Sequence, residues 1–201
     1  GNSSSYSGSG TTWTDLSSSS NNGTLTNGPT YSTSAGGSID FDGGNDSVRT
    51  SSEMFNPNAN FTFSAWVYAD SVSTTHTVVS DRNNAGSFQL RISGGSWQIV
   101  DSYVVDVGTF NNSSPIATDY WYNITVSRSS NTYSLYVNGR IVSSFTSSNS
   151  YDRGPKDIGT NYTTTELWNG KISQVMSYNR ALSETEISVS YTHLRAHETD
   201  R

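Results

Sequence analysis

Tyr133-Ser134-Leu135-Tyr136-Val137-Asn138-Gly139-Arg140-Ile141-Val142-Ser143-Ser144-Phe145 reads as two β-strands joined by a two-residue turn. Asn-Gly is the preferred pair for a type I′ turn, because both central positions need positive φ. Upstream, Phe61-Thr62-Phe63-Ser64-Ala65-Trp66-Val67-Tyr68 keeps the same period of two. Phe61, Phe63, Ala65 and Val67 fall on one face, and Thr62, Ser64, Trp66 and Tyr68 on the other. Aromatics on both faces predict a central strand with neighbours on either side.

Working outward, short runs rich in Val, Ile, Tyr, Trp and Phe recur between clusters of Gly, Asn, Asp and Ser. Strands are expected at 38–41, 47–50, 77–80, 87–92, 97–101, 120–127 and 171–178, the spacing of a sandwich. Residues 1–37 form a polar leader in which Trp13, Leu16, Leu25 and Tyr31 stand out as anchors that would clip a long segment onto a core. One helical signal is present. Ser183 precedes Glu186 by three residues, a capping box, which predicts one short C-terminal helix.

Composition sets the outer limits. The chain has 201 residues, no cysteine, 32% hydrophobic and only 14% charged residues. Disorder is the first alternative for so polar a chain. Five Trp, twelve Tyr and seven Phe, set within alternating runs, argue instead for a packed domain. A net charge of -6 and only two lysines, Lys156 and Lys171, argue against a nucleic-acid partner. No apolar run has the length of a membrane span, so no membrane insertion is expected.

Several segments together resemble the LamG-like jelly-roll domains of the concanavalin A-like lectin/glucanase superfamily. They are, in order, Phe41-Asp42-Gly43-Gly44-Asn45-Asp46-Ser47-Val48, Phe61 to Val67, Trp121-Tyr122-Asn123-Ile124-Thr125-Val126, Leu135 to Gly139, Trp168-Asn169-Gly170-Lys171-Ile172, and Tyr178 through Ser183 to Ile187. The resemblance implies an all-β fold: an antiparallel β-sandwich of jelly-roll type spanning 38–188, with Trp66, Trp121 and Trp168 packing its interior. The leader resembles the opening of versions found in tailed-phage and marine metagenomic structural proteins. Those carry one more strand upstream, so an N-terminal truncation is expected. Residues 189–201 resemble one reading-frame translation of a transposase adapter used in sequencing libraries, and the His193/His197 spacing is read as part of it rather than as a metal pair.

Laminarinase-type enzymes of this clan carry Glu-x-Asp-x-x-Glu on one strand. Glu53, Glu166, Glu184, Glu186 and Glu198 are not so arranged, and no enzyme is expected. His76, in a Thr-rich turn, reads as a solvated loop histidine, and Tyr151, Asp152, Arg153 and Asp157 read as a solvated loop cluster. Asp42, Asn45 and Asp46 offer oxygen ligands that calcium would accept, or else simply form a turn. Sugars are held by exposed aromatics bordered by hydrogen-bonding side chains. Trp97, Tyr103 and the loop of Asp81, Arg82 and Asn83 are the candidates, with core packing as the alternative for Trp97.

The expected function is non-enzymatic recognition of carbohydrate or a cell-surface glycoconjugate by one domain of a larger phage or bacterial surface protein. That places it outside the cell, on a virion or cell surface. The alternative is a structural decoration domain that packs against a neighbouring virion or surface protein and binds no sugar. A glycoside hydrolase is a minor third reading.

Overall fold

β6 (Phe61–Ala69) lies between two antiparallel partners and is buried along almost its whole length, as its two-faced aromatic pattern requires. In the computed structural model, which describes residues 4–81, 88–101, 106–110, 116–148, 150–151, 153–154, 156–161 and 163–199, the chain folds as a two-sheet sandwich. The leader supplies β1 (Thr12–Trp13), β2 (Gly23–Thr26) and β3 (Thr30–Ser32). There follow β4 (Ser38–Asp42), β5 (Ser47–Thr50), β6, β7 (His76–Asp81), β8 (Phe88–Ser93), β9 (Ser96–Asp101) and β10 (Asp106–Thr109). The second half supplies β11 (Trp121–Ser129), β12 (Thr132–Val137), β13 (Arg140–Thr146), β14 (Lys156–Ile158), β15 (Asn169–Tyr178) and α1 (Glu184–Thr199).

Among the described residues one sheet runs β1-β2-β5-β14-β7-β8-β9-β10 and the other β13-β12-β11-β6-β15-β4-β3, every pairing antiparallel. Sequence neighbours repeatedly sit in opposite sheets, which is the jelly-roll habit. The Asn138–Gly139 turn forms as expected, with φ of 52° and 74°.

Between the sheets lies an aromatic core. Phe55 stacks on Phe61 with centroids 4.4 Å apart, Phe88 meets both edge-on, and Tyr133 stacks on Phe145 at 5.2 Å. Each such side chain contributes roughly 1.5–3 kcal/mol by leaving water. The leader belongs to this core through Tyr6 and Leu25, with Trp13 half-buried against it. Leu16 and Tyr31, expected as anchors, are instead 55% and 37% exposed.

Three further expectations are corrected. His76 is not a loop histidine: it opens β7, is buried, and donates from Nδ1 to the Leu167 carbonyl at 2.7 Å. Tyr151 and Asp157 are buried too, Asp157 within β14 where its carboxylate accepts two bonds from Arg49. The helix starts at the expected capping box, with Ser183 N donating to Glu186 Oε2 at 2.8 Å, but at 16 residues it is longer than the short helix expected. No glycine or proline interrupts the chain after Ser183, so nothing stops it sooner. Ile187 is its buried anchor, and Tyr191 stacks on Trp66 at 5.7 Å across the outer face of the β6 sheet.

Candidate functional site

Strand alternation sends Phe61, Phe63, Ala65 and Val67 into the core, which leaves Tyr68 on the opposite, outward face of β6. Register then assembles a row. Asp40 of β4 pairs with Lys171 of β15, Lys171 pairs with Tyr68 of β6, and Tyr68 pairs with Trp121 of β11. Four consecutive strands thus present an acid, a base and two aromatic rings side by side.

The contacts within this row are specific. Lys171 Nζ is 4.9 Å from the centroid of the Tyr68 ring and 3.5 Å from Asp40 Oδ2. The Tyr68 and Trp121 rings lie 5.5 Å apart, tilted by 53°. Tyr68 donates its hydroxyl to Asp119 Oδ1 at 3.2 Å. Desolvation, the hydrogen bond to Asp119 and the nearby charges of Asp119 and Asp70 raise the Tyr68 phenol above its usual pKa. Beside Trp121, Tyr120 is 64% exposed. The result is an aromatic platform bordered by carboxylates and one ammonium.

Gly170 fixes this geometry. At φ 130° a Cβ there would lie 2.1 Å from the Tyr68 carbonyl oxygen, so β15 can approach β6 this closely only with glycine. That approach sets Lys171, the next residue, opposite Tyr68.

The turn after β4 follows two residues beyond Asp40. Asp42 Oδ1 accepts from Gly44 N at 2.7 Å, and Asp46 Oδ2 accepts from Asp42 N at 3.0 Å. Asp42 and Asp46 are brought together, their carboxylates engaged as turn caps, while Asn45 is exposed and its carbonyl accepts from Asn27 Nδ2 at 2.9 Å. Burial, with the Asp42 and Asp40 charges adding to it, raises the Asp46 carboxyl against the opposing bond from the Asp42 amide. Among the described residues, no three or more His, Cys, Asp or Glu side chains are grouped to hold a metal ion.

The other sequence candidates fall elsewhere. Trp97 is 1% exposed and belongs to the core, so it is no stacking platform. Gly94 and Gly95, at φ 57° and 74°, close a two-residue turn, so β9 begins at Ser96 and places Trp97 opposite Ile92. Asp81 is not a loop ligand either. Its side chain is fully buried at the end of β7, paired with Lys156 Nζ, whose ammonium also stands 4.7 Å from the Phe55 ring. Desolvation outweighs the attraction of Lys156 and pushes the Asp81 carboxyl up to about 6. Arg82, Asn83 and Tyr103 lie outside the described residues.

Trp121 corrects the opposite way. Expected in the interior with Trp66 and Trp168, it is half-buried on the outer face, while Trp168 is fully buried and Trp66 lies beneath Tyr191. The available signal was phase: Tyr68 shares the face of Thr62 and Ser64, and Trp121 follows directly on exposed Asp119 and Tyr120. The outer face of the other sheet is polar but self-satisfied. Glu166 bonds Arg91 at 2.9 Å and also accepts from Gln89, while Arg49 clasps Asp157.

A family profile described as the concanavalin A-like lectin/glucanases superfamily matches residues 42–188. Comparison with curated proteins finds no match. Among solved structures, domain 4 of AbnA, a GH43 extracellular arabinanase from Geobacillus stearothermophilus in complex with arabinotriose, is similar at TM-score 0.71 and 18% identity, over 83% of this chain and 86% of that one. The binding domain of Paraclostridial Mosquitocidal Protein 1 is similar at TM-score 0.68 and 18% identity, over 90% of this chain and 49% of that one. A Trypanosoma rangeli sialidase mutant with trans-sialidase activity gives 0.73 and 17%, over 98% of this chain and 33% of the sialidase chain. At these identities the likeness is one of fold.

Proposed function

This chain belongs to the concanavalin A-like lectin/glucanases superfamily, and on that premise we propose that it is a non-enzymatic module that recognises carbohydrate. The observation that carries the reading is the registered row of Asp40, Lys171, Tyr68 and Trp121, with exposed Tyr120 and Asp119 beside it. Aromatic faces take the apolar side of a pyranose or furanose ring, and the bordering charges bond its hydroxyls. The AbnA domain, similar in fold over 86% of its own length and solved with arabinotriose, supports a sugar ligand as the first choice.

The non-enzymatic part of the reading rests on carboxylates. Glycoside hydrolysis uses two of them across the scissile bond, one with a raised pKa to act as acid. The raised carboxyls here are Asp81, pushed up to about 6, Asp157 and Asp46. All three are buried and engaged, Asp81 by Lys156, Asp157 by Arg49 and Asp46 by the Asp42 amide. On the platform, Asp40 is held by Lys171 and Asp119 by the Tyr68 hydroxyl.

We place the module in a larger phage or bacterial surface protein, outside the cell. A second reading, a decoration domain that packs against a protein neighbour, draws on the β13 edge strand, where Ile141 and Val142 are 46% and 40% exposed. A glycan-array screen that includes arabino-oligosaccharides, run with calcium and again with chelator, separates the two. Reproducible retention of one sugar class supports recognition, and loss in chelator adds calcium at the Asp42–Asp46 turn. Silence from a chain that melts cooperatively favours decoration.

A further inference from the structure

At the far end of β6 from the platform, residues of the loop between β5 and β6, with Arg153 and Asn179, line an open cleft of about 320 Å³. Glu53, Phe55, Asn56, Asn60, Arg153 and Asn179 line it. Seven residue steps of strand separate Phe61 from Tyr68, about 24 Å, so the cleft and the platform are separate places.

The cleft is electrically balanced. Glu53 and Arg153 form a two-pronged ion pair, with Arg153 Nε 3.0 Å from Glu53 Oε1 and a second nitrogen 2.5 Å from Oε2. Beneath, the Phe55 ring covers the ammonium of Lys156, itself neutralised by Asp81. Around the wall, the carboxamide oxygens of Asn56 and Asn60 are already used, accepting from Asn58 N at 2.9 Å and Ser130 N at 2.7 Å. Among the described residues their NH₂ groups meet no acceptor and remain as donors, and Asn179 adds an exposed carboxamide. A wall of amide donors with one carboxylate acceptor and no net charge matches hydroxyl groups better than an anion or a cation. The volume holds about ten water-sized groups, the scale of one sugar ring.

We propose that this cleft is a second binding site, for a neutral, hydroxyl-rich ligand about the size of a monosaccharide. It stands independently of the platform, and with the platform occupied as well it makes one domain bivalent toward a polysaccharide, raising avidity without any new contact.

The test uses the full chain carrying Trp121→Ala, which disables the platform, titrated with a panel of neutral methyl hexosides and methyl pentosides by ¹H–¹⁵N NMR. Saturable shifts are expected in the side-chain amides of Asn56, Asn60 and Asn179 for at least one glycoside. Adding Asn179→Ala, an exposed position whose loss leaves the fold intact, is expected to weaken that binding about tenfold. Glu53→Gln, which opens the ion pair, is expected to weaken it comparably. Shifts absent from all three asparagines up to the solubility of the glycosides, or shifts that Asn179→Ala leaves unchanged, overturn the proposal. Neither result bears on the platform, which the Trp121→Ala background has already removed.

Discussion

Lys171 stands 4.9 Å above the ring of Tyr68. Two strands that are far apart in sequence, β6 and β15, are locked in register so that the cation covers the aromatic face while its other side reaches Asp40. An exposed cation–π contact of this kind contributes about 0.5–1 kcal/mol, and a partly exposed ion pair about the same or less. Lys171→Met is therefore expected to lower stability by no more than about 1 kcal/mol in denaturant melts. Glycan affinity is expected to fall about tenfold, because a charged donor to a hydroxyl is lost. A large stability loss with unchanged affinity would make Lys171 a structural residue only.

Gly170 gives a sharper structural prediction. Alanine there would push its Cβ against the Tyr68 carbonyl oxygen and the Asp70 amide, backbone atoms that cannot swing aside, at a φ that suits glycine. Gly170→Ala is expected to cost roughly 2–5 kcal/mol. Thermal melting checks it, and a shift of under one degree would show that β15 has room to move.

Trp97 separates core from surface. Trp97→Ala is expected to cost about 3–5 kcal/mol, the usual toll of emptying a buried aromatic site. A near-silent effect on melting, with lost sugar retention, would return that tryptophan to the surface.

The buried pair of Asp81 and Lys156 makes stability depend on pH with a definite sign. The Asp81 pKa in the folded chain, about 6, lies above its ordinary 3.8, so folding favours the protonated carboxyl. Its contribution is complete below 3.8 and is lost as pH rises through about 6. Across that window the loss amounts to about 3 kcal/mol. Lys156→Met is expected to destabilise by roughly 3–5 kcal/mol at neutral pH, because it strands a buried carboxylate, and by much less near pH 4. The double variant Asp81→Leu/Lys156→Met is expected to melt close to the parent and to lose this pH dependence. Denaturant titrations at pH 4 and 7 decide it, and a parent chain that gains stability across that interval would contradict the sign.

Particular residues show how far the sequence reaches. The hairpin through Asn138 and Gly139 and the two-faced strand from Phe61 to Tyr68 were legible because turn chemistry and period two act locally. The capping box at Ser183 was legible for the same reason, though the helix end was not, since no breaker marks it. The platform was not legible. Trp97 and Trp121 each lie at the start of a strand behind a polar turn, Trp97 second in β9 and Trp121 first in β11, yet one is sealed and the other is half-exposed. That difference is set by register across strands distant in sequence, and by α1 covering Trp66 while Tyr68 and Trp121 stay at the surface. Asp81 misled for a related reason: its partner, Lys156, comes from β14, and only the fold brings the two together.

The central claim, that the outer-face row of Tyr68 and Trp121 binds carbohydrate, is tested most directly by a glycan array probed in parallel with the chain and its Trp121→Ala variant. The expected result is retention of a defined sugar class by the parent and loss of that signal in the variant, whose melting falls by only about 1 kcal/mol, a few degrees at this size. Equal retention by both proteins, or none by a cooperatively folded parent, would contradict it.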